Sequence, residues 1–314
     1  MLWAITSYFN PARYRSRPTN YRTFRAHLKV PLVTVEASHD GRFELQTGDA
    51  DILVQLHARA VLWQKERLLN VALGFLPSDC REVAWLDCDV VFASDDWPTQ
   101  ASAALRTHSL VQLYSERCEL DRQATADPSR RRDGSSIVQS VGSRIAAGRA
   151  TPEDLSDPEA PLVRGTTAGL AWAASRAALD VNGLYDACVL GTGDRVILCS
   201  AMGELDFGAQ AIHMNARQKE HYRRWAEPFA VRMARRVGAI EGRIFHLWHG
   251  DLGERRYGER HRALRRFRFD PFVDIAVDDE GCWCWNAPKR AMHEYVRGYF
   301  TSRREDGPEP GSAP

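Results

Sequence analysis

Val83-Ala84-Trp85-Leu86-Asp87-Cys88-Asp89 joins an apolar run of four residues to two carboxylates that are separated by one residue. The apolar run predicts a short buried strand that stops abruptly at Asp87. In open sheets with helices on both faces, ligands bind beyond the carboxyl ends of the strands. The two aspartates are therefore predicted to lie on the rim of a binding cleft.

The segments around this strand alternate between strand and helix patterns. Apolar or β-branched runs predict further strands at Leu2–Thr6, Val30–Ala37 and Leu110–Tyr114. Helices are predicted at Tyr21–Leu28 and at Ala58–Leu73, where apolar residues recur near the helical period and Gly74 follows. This alternation predicts an α/β fold with a mixed, mostly parallel sheet that is flanked by helices.

Composition excludes several classes of protein. The chain has 314 residues, of which 44% are hydrophobic and 26% charged, so it can bury a substantial core and is not globally disordered. A net charge of +1 gives no overall field for nucleic acid, and none is expected as a partner. No apolar run approaches the ~20 residues of a membrane span, although peripheral membrane contact stays compatible with the sequence. Seven cysteines at scattered spacings, with no recognisable secretory leader, predict a reducing, cytoplasmic location.

Two segments are predicted to be irregular. Residues 116–161 are rich in Arg, Asp, Ser, Gly and Pro and include the run Arg130-Arg131-Arg132-Asp133. They are interpreted as a partly ordered polar insertion or lid, and the alternative is a solvated surface excursion without a role. Residues 301–314 are polar and rich in Pro and Gly, which predicts a disordered tail.

Asp87 and Asp89 have the spacing to turn towards one divalent cation. A hard ion such as Mg²⁺ or Mn²⁺ takes oxygen ligands and keeps positions open for substrate phosphates. The alternative is a solvated pair of carboxylates, since D-x-D triplets are frequent by chance. The buried strand before the pair favours the metal site.

His246 and His249 follow the strand-like segment Arg243-Ile244-Phe245, and a histidine at the end of a strand could complete the shell of a cation. A closed zinc site is not indicated, because Cys282-x-Cys284 is too short for a zinc knuckle and packing is its simpler role. Core or surface histidines remain the alternative interpretation for this pair.

The segment Gly191-Thr192-Gly193-Asp194 precedes a helix predicted at Arg195–Met202. The glycines allow the backbone to approach a ligand closely. Asp194 is a candidate helix cap and also a candidate general base for an attacking hydroxyl. One residue can perform both roles.

The order of Asp87-x-Asp89, Gly193-Asp194 and His246/His249 resembles that of GT-A-fold, Rossmann-like nucleotide-sugar glycosyltransferases. The closest resemblance is to the β-1,4-galactosyltransferase and polypeptide N-acetylgalactosaminyltransferase type of catalytic domain, which is similar to glycosyltransferase family 2. Gln64–Val71 looks like the helix that precedes the D-x-D strand in the galactosyltransferases, and Gly183-Leu184-Tyr185-Asp186 looks like part of their acceptor segment.

The resemblance implies a metal-dependent, inverting transfer from a nucleotide-diphospho-sugar, with UDP-sugars favoured, to a glycan, a lipid-linked acceptor or another hydroxyl. Mn²⁺ or Mg²⁺ is the implied cofactor, held by Asp89, Asp87, His249 and His246, and Asp194 is the implied base. The implied nucleotide-sugar contacts are Phe9, Asn10, Arg13, Glu36 and Asp87, and the implied acceptor or sugar contacts are Trp172, Gly191 and Gly193. Simpler interpretations are a capped turn for Asn10, a solvated strand end for Glu36 and a core position for Trp172.

By the same resemblance the chain is one catalytic domain. Residues 1–115 are its nucleotide-sugar-binding half, 116–161 its insertion, 162–275 its acceptor- and metal-binding half, and 276–300 a C-terminal extension before the tail. The family's Trp-Gly-Trp-Gly and Glu-Asp sequences are missing from the acceptor segment, which leaves the type of acceptor open.

Two rival functions fit parts of the sequence. Asp87-Cys88-Asp89-Val90-Val91 also matches the nucleophile motif of haloacid-dehalogenase-type phosphatases, although no second aspartate follows Gly193-Asp194 directly. A catalytically inactive nucleotide-sugar-binding module is the second rival, because a fold alone does not establish a function.

Overall fold

The computed structural model describes residues 1–122, 124, 136–150 and 166–307 of the chain. Fourteen strands lie within these ranges: β1 (Leu2–Phe9), β2 (Leu32–Ser38), β3 (Ile52–His57), β4 (Glu82–Leu86), β5 (Val90–Phe92), β6 (Leu110–Gln112), β7 (Glu116–Glu119), β8 (Ile137–Ser140), β9 (Thr166–Thr167), β10 (Ala171–Ser175), β11 (Val237–Ala239), β12 (Arg243–His246), β13 (Ile275–Val277) and β14 (Trp283–Trp285).

Ten α-helices accompany the strands in the same described residues: α1 (Ser16–His27), α2 (Lys65–Leu73), α3 (Trp97–Ala104), α4 (Val141–Ala146), α5 (Arg176–Leu179), α6 (Gly193–Ala201), α7 (Leu205–Ala211), α8 (Ala216–Met233), α9 (Tyr257–Leu264) and α10 (Arg290–Ser302). Two short 3₁₀ segments flank α9, at Leu252–Arg255 and Arg265–Phe267. None of these helices is long and apolar enough to span a bilayer.

The main sheet has seven strands in the order β11-β6-β10-β4-β1-β2-β3. All neighbouring pairs are parallel except the two that β10 makes with β4 and β6. Six strands therefore run in one direction and β10 runs against them. The predicted α/β class with a mostly parallel sheet is confirmed.

Both faces of this sheet are covered, as alternating side chains of its central strands show. Ile5 and Phe9 of β1 join the core that lies under α2, α6, α8 and α10, whereas Ala4 and Tyr8 join a second core under α1 and α3. Successive side chains of a strand point to opposite faces, so each strand contributes to both cores. This explains why the strands are continuous apolar runs and do not alternate with polar residues.

A second, five-stranded sheet in the order β5-β12-β7-β8-β9 lies beyond the rim of the first. Two of its strands, β7 and β8, and the helix α4 lie in the segment 116–161, which is predicted from the sequence to be a partly ordered insertion or lid. β7 pairs in parallel with β12, which carries His246 at its end. The run Arg130–Asp133 lies outside the described residues.

Two further predictions differ from the structure. The helix predicted from Ala58 begins only at Lys65, because the preceding segment is bound elsewhere: the Trp63 N–H donates to the Val189 carbonyl, and the Gln64 side chain bonds both backbone groups of Trp283. The disordered tail predicted from residue 301 is wrong for residues 301–307. There α10 continues to Ser302 and the Glu305 carboxylate, which is fully buried, pairs with Arg17.

Candidate active site and metal centre

The site lies where β4 ends at the rim of the main sheet. Asp87 follows β4 directly, and its N–H donates to the Leu170 carbonyl over 2.7 Å. Leu170 precedes β10, whose first residue pairs with Leu86, so the antiparallel strand brings its own entry loop to the same rim. A cavity of about 430 Å³ opens at this point and is lined by Asp87, Asp89 and Asp194 among others.

Strand register brings the metal-site residues together. β5 begins directly after Asp89 and pairs antiparallel with β12, so that His246 stands opposite Val90. β12 also pairs in parallel with β7, which places Glu119 opposite His246. Finally, the Leu247 N–H donates to the Asp89 carbonyl over 2.8 Å. Two strand pairings and one backbone hydrogen bond therefore fix Asp89, His246 and Glu119 relative to one another.

Asp89, His246 and His249 form a compact group of three potential metal ligands. The Nε2 atom of His249 lies 3.5 Å from Asp89 Oδ2, and the Nε2 atom of His246 lies 3.8 Å from Asp89 Oδ1. One donor atom from each residue falls within 4.8 Å of the other two. Asp87 is outside this group.

The tautomers of both histidines follow from their partners. His246 Nδ1–H donates to Glu119 Oε2 over 2.8 Å, and His249 Nδ1–H donates to the Leu247 carbonyl over 2.9 Å. Because a carboxylate and a carbonyl can only accept, Nδ1 carries a hydrogen in each ring, and Nε2 is the ring nitrogen that faces Asp89. A second partner that fixes the ring in this way is typical of metal-ligating histidines.

The electrostatics of the three residues also fit a cation. Burial lowers the pKa of His249 well below its usual value, with help from Arg255, so this imidazole is neutral. Burial raises the pKa of Asp89, and one of its oxygens, Oδ1, is buried without a hydrogen-bond partner. Burial alone would raise the pKa of Glu119, but His246 and Arg117 lower it to about 2. A divalent cation would satisfy the orphaned Asp89 oxygen and both imidazole lone pairs.

Asp87 and Asp194 share one counterion. The Nζ atom of Lys65, at the start of α2, lies 2.5 Å from Asp87 Oδ1 and 2.7 Å from Asp194 Oδ2. Burial raises the pKa of Asp194, whereas Lys65 lowers it. Lys65 itself stays charged, because the two aspartates raise its pKa well above the usual value despite burial.

Asp194 is the second residue of α6 and follows Gly193, where Glu66 leaves no room for a side chain. A Cβ added to Gly193 would lie 2.2 Å from Glu66 Oε1, so the glycine allows the carboxyl group of Glu66 to touch the backbone. Thr192 has φ +74°, a strained conformation for a β-branched residue. Its hydroxyl is held by Arg260 Nη2 at 2.8 Å and faces His261 Nε2 at 3.0 Å.

Glu66 is a second buried carboxyl group beside this turn. It lines the cavity, and its Oε1 has no hydrogen-bond partner. Burial raises its pKa to about 8, and Asp194 contributes to the rise. Glu66 is therefore largely protonated at neutral pH and can donate a hydrogen bond into the cavity.

Four of the remaining predicted contacts lie away from the cavity. The carboxylate of Glu36 accepts from the backbone N–H groups of Glu44 and Leu45, and it is almost completely buried. Asn10 and Arg13 bond the side chain of Glu44. Trp172 is a core residue, and its indole N–H donates to the Ala168 carbonyl.

Other predicted contacts lie at the cavity or beside it. Phe9, for which the resemblance implies a nucleotide-sugar contact, lines the cavity. Gly191 and Gly193 do not line the cavity. Gly191 packs against the ring of Trp63, and Trp63 is a lining residue. The two glycines therefore lie behind the lining residues Trp63 and Glu66 and allow these side chains to pack against the backbone.

Several residues of the site were not predicted from the sequence. Lys65 was noted only as part of a helix pattern, and Glu119 only as part of a polar insertion. The cavity is also lined by Arg255 and Arg260, which lie in the basic segment 215–268 whose arginines are expected from the sequence to help hold phosphates, and by four arginines without any such signal: Arg17, Arg117, Arg195 and Arg303. Their sequence separation hides them, since only the fold gathers them.

No protein-family model matches the chain, and no curated protein matches its sequence significantly. Among solved structures, TarS 1-349 from S. aureus in complex with UDP-GlcNAc matches with 13% identity and a TM-score of 0.33, over 67% of this chain and 52% of that chain. Glucosyl-3-phosphoglycerate synthase from Mycobacterium tuberculosis, in complex with Mn²⁺, UDP and phosphoglyceric acid, matches with 14% identity and a TM-score of 0.36, over 66% of each chain. A mycobacterial protein matches with 12% identity and a TM-score of 0.40, over 91% of this chain and 83% of that chain. The chain thus spans about half of the length of the first of these structures.

Proposed function

We propose that the chain is a metal-dependent glycosyltransferase that moves a sugar from a nucleotide-diphospho-sugar to an acceptor hydroxyl. One observation carries the proposal: Asp89, His246 and His249 converge on one side of a single cavity whose wall also holds Asp194. Such a cavity can bind an anionic leaving group through a cation, and the Asp194 carboxylate in the same lining can accept a proton. UDP-sugars are the donors to test first, following the resemblance in motif order.

The cation would be held by Asp89, His246 and His249. Two imidazoles and one carboxylate favour a first-row ion such as Mn²⁺ over Mg²⁺, which prefers oxygen ligands. When bound, the cation would neutralise the charge that develops on the leaving diphosphate. Asp87 is held by Lys65 and is assigned to the ribose or to a water-mediated contact.

Asp194 is proposed as the general base. Burial raises its pKa above the usual value, and the ammonium group of Lys65 opposes this rise. These opposing effects are those expected of a base that must accept a proton near neutral pH. In this role Asp194 accepts the proton of the acceptor hydroxyl as it attacks the sugar from the face opposite the diphosphate, and inversion at the anomeric carbon follows.

Lys65 is a positioning residue in this scheme. Its single ammonium group fixes Asp87 after β4 and Asp194 at the start of α6 in one arrangement. Phe9, Trp63 and Tyr299 supply the aromatic surface of the cavity, on which a base or a sugar ring can pack. The acceptor stays open between glycans, lipid-linked acceptors and other hydroxyl compounds, and a cytoplasmic location belongs to the same proposal.

The test is transfer and donor hydrolysis measured with UDP-sugars and Mn²⁺. Asp89→Ala should abolish both activities with the fold retained, whereas Asp95→Ala, an exposed aspartate nearby, should not affect them. Asp194→Asn should lose transfer and keep donor binding. Full activity in excess chelator would exclude the metal role, and normal turnover by Asp194→Asn would exclude the base.

The same assay separates the rival functions. Turnover of a generic phosphoester, without turnover of any nucleotide-sugar, would support the phosphatase. Binding of a nucleotide-sugar without transfer or hydrolysis would support an inactive binding module.

A further inference from the structure

Part of the cavity wall is formed by four buried or half-buried guanidinium groups. Arg17 comes from α1, Arg255 and Arg260 from the segment around the start of α9, and Arg303 from the residue that follows α10. We call this set the arginine wall. Its members are separated by up to 286 residues in sequence, and all of them line the same cavity.

Most hydrogen bonds that the arginine wall donates go to neutral acceptors. Arg17 donates to the Phe9 carbonyl, Arg255 to the His249 carbonyl, and Arg260 to the Arg255 carbonyl and the Thr192 hydroxyl. Such bonds orient the guanidinium groups and leave their charge uncompensated.

Glu305 is the one carboxylate that pairs with the arginine wall among the described residues. It accepts from Arg17 through both oxygens, over 2.6 and 2.9 Å. Its Oε1 also lies 2.6 Å from Arg303 Nε, but without hydrogen-bond geometry, and Arg303 Nη1 is buried with no partner. Glu305 thus pairs with only two of the four guanidinium groups, and the Nη1 atom of Arg303 has no acceptor.

The charges of the wall act on Tyr299, which lines the same cavity. Although burial raises the pKa of Tyr299, Arg260, Arg303 and Arg255 together lower it below its usual value. Burial also lowers the pKa of Arg303 itself. Burying several guanidinium groups that share one carboxylate is costly, so the arrangement fits a site that an anion completes.

The wall adjoins the candidate metal centre. Arg255 is bonded to the backbone of His249, and Arg17 is bonded to the residue that ends β1. An anion that bridges the cation and the guanidinium groups therefore needs more than one negatively charged group. A diphosphate has this character, and planar guanidinium groups bind phosphate oxygens in pairs.

We infer that the arginine wall binds the diphosphate of the donor, and that Arg303 supplies the N–H donors reserved for it. This inference rests on the proposed function and adds a second phosphate-binding element to the metal. It assigns a ligand-binding role to the C-terminal segment that follows α10.

The position of Arg303 is fixed by close packing of that segment on the metal-site turn. A Cβ added to Gly250, next to His249, would lie 2.9 Å from the Arg304 carbonyl and 3.0 Å from the Arg303 carbonyl. Gly250 also has φ +87°, which favours glycine. The turn that holds His249 and the segment that holds Arg303 are thereby packed as one unit.

The experiment compares the affinities of UDP, uridine and inorganic pyrophosphate for the full chain, with and without Mn²⁺. Arg303→Gln should weaken UDP and pyrophosphate about 10- to 100-fold, since hydrogen bonds to charged groups are being removed, and uridine less than about 2-fold. Arg303→Lys should bind UDP and pyrophosphate with affinities between those of the wild type and those of Arg303→Gln. Arg304→Gln, the same change at an exposed neighbour, should leave all three affinities unchanged.

The ratio of UDP to uridine affinity guards against partial unfolding, which would weaken both ligands equally. The inference would be overturned if Arg303→Gln kept the wild-type ratio of UDP to uridine affinity, because both ligands would then be weakened equally. If the wild-type chain binds UDP with Mn²⁺ and Arg303→Gln binds it equally well, the inference fails while the proposed function stands. If pyrophosphate binds through Arg303 but no nucleotide binds, the anion site stands and the nucleotide-sugar function fails.

Discussion

Glu119→Gln tests whether the pairing of β7 with β12 prepares His246 for a metal. Glu119 accepts from His246 Nδ1, and its low pKa keeps it charged. Glutamine keeps an oxygen that can accept the same bond but removes the charge that makes the imidazole a stronger ligand. Losing such a partner weakens metal binding by about 10- to 100-fold.

This loss can be converted into a shift of thermal stability. At a Mn²⁺ concentration 100 times the dissociation constant, binding stabilises the native state by about 2.7 kcal/mol. After a 10- to 100-fold loss of affinity, about 1.4 to 0.4 kcal/mol remains at the same concentration. With an unfolding entropy of about 2.1 cal/mol/K per residue over 314 residues, the rise in Tm on adding Mn²⁺ falls from about 4 °C to about 2 °C or less.

The assay is thermal unfolding over a Mn²⁺ titration, checked by calorimetric binding. The matched control is Glu116→Gln, the same change three residues earlier on β7, where the carboxylate pairs with Arg243 and does not contact the metal centre. The control should keep the full Mn²⁺ response. A Glu119→Gln variant that binds Mn²⁺ as tightly as the wild type would refute the role of Glu119 and weaken the assignment of His246.

Three further predictions follow from other contacts. Gly193→Ala should lower the free energy of unfolding in urea by about 1–3 kcal/mol, because the added Cβ would overlap Glu66. Gly253→Ala, which has open space around it, should change the free energy of unfolding by less than about 1 kcal/mol. Equal effects of the two changes would exclude the contact between Gly193 and Glu66. Lys65→Met should move the acid limb of the pH–rate profile to higher pH, because Asp194 loses the cation that lowers its pKa, and an unmoved limb would argue against Asp194 as the base. Charges of neighbouring cations lower the pKa of Glu119 and of Glu305 from 4.5 to about 2. The stabilisation that these carboxylates contribute is therefore complete above pH ~4.5 and is lost as the pH falls towards 2. Glu305→Gln should reduce the loss of unfolding free energy over this pH range by about 2–3 kcal/mol, and an unchanged loss would contradict the pairing.

The class of fold could be predicted from the sequence because its strongest signals are local. Leu2–Phe9 and Glu82–Leu86 are apolar enough to be recognised as buried strands, and the carboxylates that follow β4 mark its end. The antiparallel direction of β10 could not be predicted. Its alanines carry no information on direction, which is set by its pairing with β4 and β6.

The second sheet was missed for a related reason. Glu116-Arg117-Cys118-Glu119 has the composition of a solvated loop, and its strand structure depends on the partners β8 and β12. Glu119 therefore could not be recognised as the partner of His246. Local propensity is a weak guide wherever tertiary pairing decides the structure.

The same limit applies to the basic residues of the site. Lys65 falls within a helix pattern, and nothing in that pattern shows that its ammonium group reaches Asp194, 129 residues later. Arg303 and Glu305 lie in a segment whose composition is typical of disorder, yet they are buried because each finds a charged partner. Ion pairs between distant segments leave no local signal in one sequence.

The convergence of three distant segments on one cation is tested most directly by anomalous diffraction from crystals that contain Mn²⁺. We expect a single strong anomalous peak bounded by the Asp89 carboxylate and the Nε2 atoms of His246 and His249, which disappears in Asp89→Ala crystals. A Mn²⁺ peak only at other positions, or none at this one at saturating Mn²⁺, would contradict the account.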